Sequence, residues 1–182
     1  MIGKPKCKQA HNTGLKEAMA IGLDEVLTAL EESLHDLNDE QSRAFPIAGR
    51  NNIAWIVMHC LQNLDTYATT FQTGEGTFPH ETRWQGGRRG DERPKPGDSY
   101  PSQKEMMRLL NGVRDAAMKG IEAATDDDLR GKRRAHDWWQ HTSADAYMRT
   151  IAHTMAHSRQ IWLLRGALGL TDGKSWPQQH WA

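Results

Sequence analysis

Apolar residues recur every three or four positions in four separate stretches of this chain, and that helical period restricts its fold more than any other feature. The first stripe runs through Leu15, Met19, Leu23, Val26, Leu30, Leu34 and Leu37, with Glu17, Asp24, Glu31 and Glu32 between them as solvated acids. After a loop holding Pro46 and Gly49, a second stripe of Ile53, Val57, Cys60, Leu64, Tyr67 and Phe71 predicts a helix from about Asn52 to Gln72. The third comprises Met106, Leu110, Val113, Ala117 and Ile121. Ser102 opens it, with Glu105 placed to complete a capping box, while Gly112 and Gly120 weaken its interior and leave packing to hold it. The fourth runs through Tyr147, Ile151, Met155, Trp162 and Leu163 behind a Thr142–Asp145 cap, and ends near Gly166 or Gly169.

Each apolar stripe must be covered by the others, and no segment reads as a strand. The expected fold is therefore all-α, a four-helix bundle. At 182 residues the chain makes one domain, with a bundle core over about 15–170 and a C-terminal tail over 171–182 that holds Trp176 and Trp181. Two connections stand out. Thr73 to Pro101 joins helices two and three through six glycines and four prolines around Trp84 and Arg88-Arg89. A loop of that length is either a surface connection or a lid over a functional site. Thr125 to Thr142 is a polar connector with room for a short helical turn. In it Asp126, Asp127 and Asp128 precede Lys132, Arg133, Arg134 and the Trp138-Trp139 pair.

Charge narrows the partners. The 23 basic and 23 acidic residues cancel, so no overall field draws the chain to nucleic acid or to a membrane surface. The basic pieces at Arg88-Arg89 and Lys132–Arg134 are short and offset by nearby acids. Cys7 and Cys60 offer no disulfide framework, the N-terminus lacks a secretory apolar run, and no stretch approaches the roughly 20 apolar residues of a membrane span. A cytoplasmic protein acting on a small molecule is the expectation.

The chemistry concentrates in helix four, where His153 and His157 stand four residues apart, one above the other on one face. Such a pair can grip one metal ion, since neutral imidazole suits zinc, nickel, copper or iron. Random placement of the chain's histidines would give roughly 0.4 such pairs, so spacing alone discriminates little. Their setting says more. Flanked by Ile151, Ala152, Met155, Ala156 and Ile161, an imidazole without a partner would lose its hydrogen bonds to water. Two readings satisfy that need: core histidines bonded to neighbours or water, or metal ligands. His59, midway along helix two and one turn after Trp55, favours the second because a bundle can bring it level with the pair. Three histidines would leave coordination positions open for water or substrate, the pattern of a catalytic site.

Asn-Ile-Ala-Trp-Ile-Val-Met-His in helix two, with His-Thr-Met-Ala-His-Ser-Arg-Gln-Ile-Trp-Leu-Leu-Arg-Gly-Ala-Leu-Gly in helix four, resembles the DinB-like superfamily of metal-binding bundles. The likeness extends over residues 15–170 in helix order and includes the acidic Ala-Thr-Asp-Asp-Asp-Leu segment after helix three. It implies that His59, His153 and His157 bind one divalent transition metal, zinc or nickel foremost. It also implies a place among proteins that include S-transferases using low-molecular-weight thiols and a maleylpyruvate isomerase, and it suggests a homodimer. The long Gly/Pro-rich loop and the Trp-containing tail depart from the family pattern.

The leading function is therefore a metal-dependent enzyme that activates a low-molecular-weight thiol, as cosubstrate, for transfer to a small electrophile. A non-catalytic metal- or ligand-binding bundle, connected with stress, is the alternative. An open site favours the enzyme and a dry, protein-filled site the binder. Metal-dependent hydrolysis is a third reading, but Gln62, Asn63 and Gln160 near the expected faces cannot titrate. Around the ligands, Arg149 is one turn before His153 and could bind an anionic substrate, or else be solvated. Gln160, one turn after His157, could orient that histidine. Trp55 reads as core rather than substrate platform, and Cys60, about 100° around the helix from His59, as a buried inert thiol. His11, His35, His80, His136, His141 and His180 receive no role.

Overall fold

The computed structural model describes residues 14–74, 76, 93–136 and 139–170, and leaves the side chains of 71 and 132–141 aside. Helix α1, Leu15–Leu34, buries Met19, Leu23, Val26, Leu27, Leu30 and Leu34. It stops short of Leu37 because Asp36 takes a left-handed backbone (φ 62°), which reverses the chain. Leu37 still enters the core, from the turn beyond. Asn38 then caps a short helix that sequence reading passed over as loop, α2, Asp39–Arg43.

Asn52 caps α3, Ile53–Leu64, by accepting from the Trp55 amide at 2.8 Å. Ile53 through Met58, Cys60, Leu61 and Leu64 are buried, so His59, Gln62 and Asn63 are the strip that α3 leaves toward its rim. The expected single helix to Gln72 continues, but as a π-helical segment, Asp65–Thr70, and a last α-turn, α4, Phe71–Thr73.

Helix α5, Gln103–Ala123, buries Met106, Leu110, Val113, Ala117 and Ile121 as its period predicts. Ser102 caps it by accepting from the Glu105 amide, but the Glu105 carboxylate pairs with Arg108 instead of returning to Ser102. The expected capping box is thus half made, because a cation one turn along is a stronger partner than a neutral amide. The acidic run forms α6, Asp126–Arg130, capped reciprocally by Thr125 and Asp128. Asp126 has a second task. Its carboxylate accepts from the amides of Leu15 and Lys16 at 3.2 and 2.9 Å, capping α1, whose own Gly14 has no side chain to do so.

The polar connector then folds into an antiparallel hairpin, β1, Lys132–His136, with β2, Trp139–Thr142. No strand was expected there, since the ladder uses backbone groups that every residue carries and the side chains do not alternate. Helix α7, Ser143–Ala167, begins at the Thr142–Asp145 capping box that the sequence predicts and ends at Gly169 (φ 74°). There Leu170 donates to Arg165 and Gly169 to Gly166, the hydrogen bonds of a glycine-terminated helix.

The main packing pairs are α1 with α5 and α7, and α3 with α5 and α7, so α1 lies diagonally across from α3. This is the four-helix bundle expected, with the hairpin appended. The face α7 buries differs from the stripe that marks it in the sequence. Ala146, Tyr147, Thr150, Thr154, Ser158, Ile161 and Leu164 are buried, Ile151 and Met155 pack at the core edge, and Leu163 is 65% exposed. Small hydroxylated residues let α7 sit between two apolar helices, and Ser158 satisfies its hydroxyl on the Thr154 carbonyl of its own helix. Arg165 is buried at the far end and donates to the Ser33 and His35 carbonyls at the C-terminus of α1. No helix among the described residues is long and apolar enough to cross a membrane.

Candidate metal centre

Along the α3–α7 seam the two helices run antiparallel, as paired side chains show: His59 meets His153, and Asn63, one turn further on, meets Thr150. The Nε2 atoms of His59 and His153 are 3.0 Å apart, and the Thr150 hydroxyl donates to the Asn63 side-chain oxygen at 2.8 Å. His157 completes the cluster from the next turn of α7. Its ring centre is 4.4 Å from that of His153 and 5.0 Å from that of His59. One nitrogen from each of the three lies within 4.8 Å of the other two.

Two nitrogens each about 2.1 Å from a common ion, at angles between square and tetrahedral, stand roughly 3.0–3.4 Å apart. The His59–His153 pair already has that separation. The rings are held from outside the cluster as well. Trp55, buried in α3, stacks on His59, and His157 Nδ1 lies 2.8 Å from the Gln160 side-chain oxygen. An amide oxygen only accepts, so Nδ1 of His157 carries the proton and its Nε2 keeps the lone pair a metal needs. His153 Nδ1 is buried with no hydrogen-bond partner.

Burial keeps all three imidazoles neutral. His59 is lowered to about 4, by desolvation and then by the His157 charge. His153 falls to about 3, by desolvation, then His157, His59 and Arg149. Desolvation lowers His157 too, against the Gln160 hydrogen bond, which raises it. Near neutral pH a cation displaces no net proton, since the one shared in the His59–His153 Nε2 contact needs only to pass to the other nitrogen of its ring. The residues present therefore fit a borderline divalent metal. All three are half-buried, at the rim of the seam rather than in the bundle interior that the apolar flanks of the pair suggested.

The other residues singled out in the sequence fall as follows. Gln160 touches His157, as expected of an orienting group. Trp55 is core, 3% exposed, and at the same time the backing of His59. Cys60 is fully buried, desolvation pushes its thiol far up, and it is outside the cluster. Asn63 is occupied by Thr150. Arg149 is exposed on α7, its guanidinium carbon 5.2 Å from the centre of the Tyr67 ring. Sequence reading missed Tyr67 as a neighbour of the site, because it counted only as one more apolar position. A cleft of about 240 Å³ near the start of α7, lined by Gln72, Asp128 and Ser143 among others, contains none of the three histidines. The proposed lid around Trp84 and Arg88-Arg89, the side chains of Lys132–Arg134, His136 and His141, and the tail with Trp176 and Trp181 lie outside the described residues.

A helical bundle that brings three half-buried imidazoles together across two of its helices has a group that could hold a divalent metal. The chain belongs to the DinB superfamily, whose family model matches residues 23–161. Solved structures agree on the fold. A DinB-like protein from Bacillus cereus ATCC 10987 superposes with a TM-score of 0.64 at 17% identity, covering 88% of this chain and 97% of that one. A conserved protein from Enterococcus faecalis gives a TM-score of 0.59 at 14% identity, covering 86% of this chain and 99% of that one. No curated protein matches the sequence.

Proposed function

We propose that the chain is a metal-dependent enzyme holding one divalent transition metal, zinc or nickel foremost, on His59, His153 and His157. On this reading it activates a low-molecular-weight thiol for transfer to a small electrophile. The observation that carries the reading is the half-exposed cluster of three neutral imidazoles with no carboxylate or thiolate among its members. Three ligands leave coordination positions for a small molecule, and the rim position gives solvent access to them. When bound, such a cation lowers the pKa of a coordinated thiol toward neutrality.

The protein's own part is orientation. Trp55 holds the plane of His59, Gln160 holds the tautomer of His157, and the Thr150–Asn63 hydrogen bond keeps α7 in register with α3. Thiol transfer asks for no general base beyond the activated sulfur. Hydrolysis would need a titratable group beside the attacking water, and Gln160 and Asn63 cannot serve.

The test is elemental analysis of untagged protein against His59→Ala and His157→Ala after identical loading. About one ion per chain in the wild type, lost in both variants, supports the site and leads to assays of thiols with electrophiles. A wild type that retains no metal overturns it.

A further inference from the structure

Beyond the histidines, the α3–α7 seam continues to Tyr67 and Arg149. His59 faces His153 at 3.0 Å, Asn63 receives the Thr150 hydroxyl at 2.8 Å, and Tyr67 lies under Arg149 at 5.2 Å. Tyr67 reaches this seam through a break in helix regularity. Eight residues of unbroken α-helix would turn it roughly 80° away from the direction of His59. The π-helical Asp65–Thr70 segment advances less per residue and carries the ring back toward α7. Such π-turns occur often at functional sites.

Arg149 is one turn before His153 on α7, close enough that its charge helps hold the His153 pKa down. Its side chain is exposed, and its guanidinium carbon lies over the Tyr67 ring, 5.2 Å from the ring centre. A guanidinium offers a planar fork that matches a carboxylate. Along the α7 backbone one helical turn, about 5.4 Å, separates Arg149 from His153, the nearest candidate ligand. A molecule with its metal-binding atom and a carboxylate a few bonds apart spans that distance.

We propose that Arg149, seated on Tyr67, is the specificity-determining residue of the site and selects ligands that carry a carboxylate near their metal-binding atom. The inference rests on the three-histidine reading and adds the ligand's charge and shape to it. The test uses cobalt(II)-loaded full-length protein, titrated with mercaptoacetate and with 2-mercaptoethanol while the visible absorption of the cobalt is followed.

Wild type should bind mercaptoacetate about tenfold more tightly, the effect of one charge-assisted contact. A carboxylate can also reach the ion directly, so the variants decide the origin of any preference. R149Q should lose the preference at unchanged cobalt content, and R149K, which keeps the charge without the fork, should keep part of it. Cobalt uptake with equal affinity for both thiols, or a preference that persists in R149Q, overturns the role of Arg149 alone. A wild type that takes up no cobalt overturns the metal reading and this inference with it.

Discussion

The indole of Trp55 lies against the imidazole of His59, ring centres 4.9 Å apart and planes 17° from parallel. One face of the candidate ligand is therefore set by the core, while its Nε2 edge meets His153 and its ring centre is 5.0 Å from that of His157. Replacing Trp55 with alanine should remove both packing and orientation. We expect a loss of about 3–5 kcal/mol in metal-free stability, the cost of a large buried aromatic truncated to alanine. Metal affinity should weaken as well. Urea unfolding with and without added zinc checks both, and a loss below about 1 kcal/mol would contradict the packing role.

Gln160 separates orientation from stability because it is exposed and bonds His157. Gln160→Ala should leave the unfolding midpoint nearly unchanged and weaken metal binding about 10–100-fold, as loss of an outer partner does at other metal sites. Competition against a chromophoric chelator measures this. Wild-type affinity in the variant would show that the hydrogen bond does not orient His157.

The pH dependence of the metal-free protein follows from the same cluster. His59 and His153 drop to about 4 and about 3 in the fold, from 6.5. Below pH 6.5 the unfolded chain takes up protons that the folded one refuses, so these groups erode stability as pH falls from 6.5 until it passes the folded values. Asp126 acts with the other sign of charge. The Lys16 and Leu15 amides hold its pKa below the usual carboxylate value, so its contribution is present above about pH 4 and is lost as pH falls through the lowered value. Urea midpoints from pH 7 to pH 4 should decline in wild type and flatten in a His59→Gln, His153→Gln double variant. An equal decline in both would refute neutral burial of the pair.

Arg165 closes the bundle at the opposite end of α7 by donating to His35 O at 2.7 Å and Ser33 O at 3.4 Å. Arg165→Ala should cost about 1–3 kcal/mol, because the buried Ser33 carbonyl and the part-buried His35 carbonyl at the end of α1 lose a charged donor. Metal content should stay at the wild-type level, since Arg165 is about two turns beyond His157 on α7 and donates to the C-terminus of α1. A variant that loses metal while remaining folded would tie the two ends of the helix together.

Much of this was legible along the chain. Four stripes with helical period announced the bundle, because burial of a helix face needs no knowledge of which partner covers it. Caps at Ser102 and Thr142 and the stop at Gly169 depend on residues next to the helix they serve. The His153–His157 pair is visible for the same reason, being set by the pitch of one helix.

What crosses between elements was not legible. Asp126 caps a helix that begins 111 residues earlier, and the hairpin at 132–142 is written in backbone groups rather than side-chain pattern. Leu163 counted as core and lies in solvent, because hydroxylated residues took the buried face of α7.

The sequence by itself determined the four long helices, the caps at Ser102 and Thr142 and the one helical face that carries two imidazoles, since each follows from interactions within a turn or two of chain. Only the tertiary structure decided that His59 closes to 3.0 Å from His153, that Trp55 backs it, and that a π-turn returns Tyr67 to Arg149. Those relations depend on how α3 and α7 register against each other. That register is set by the packing of many small contacts together, which no local pattern records.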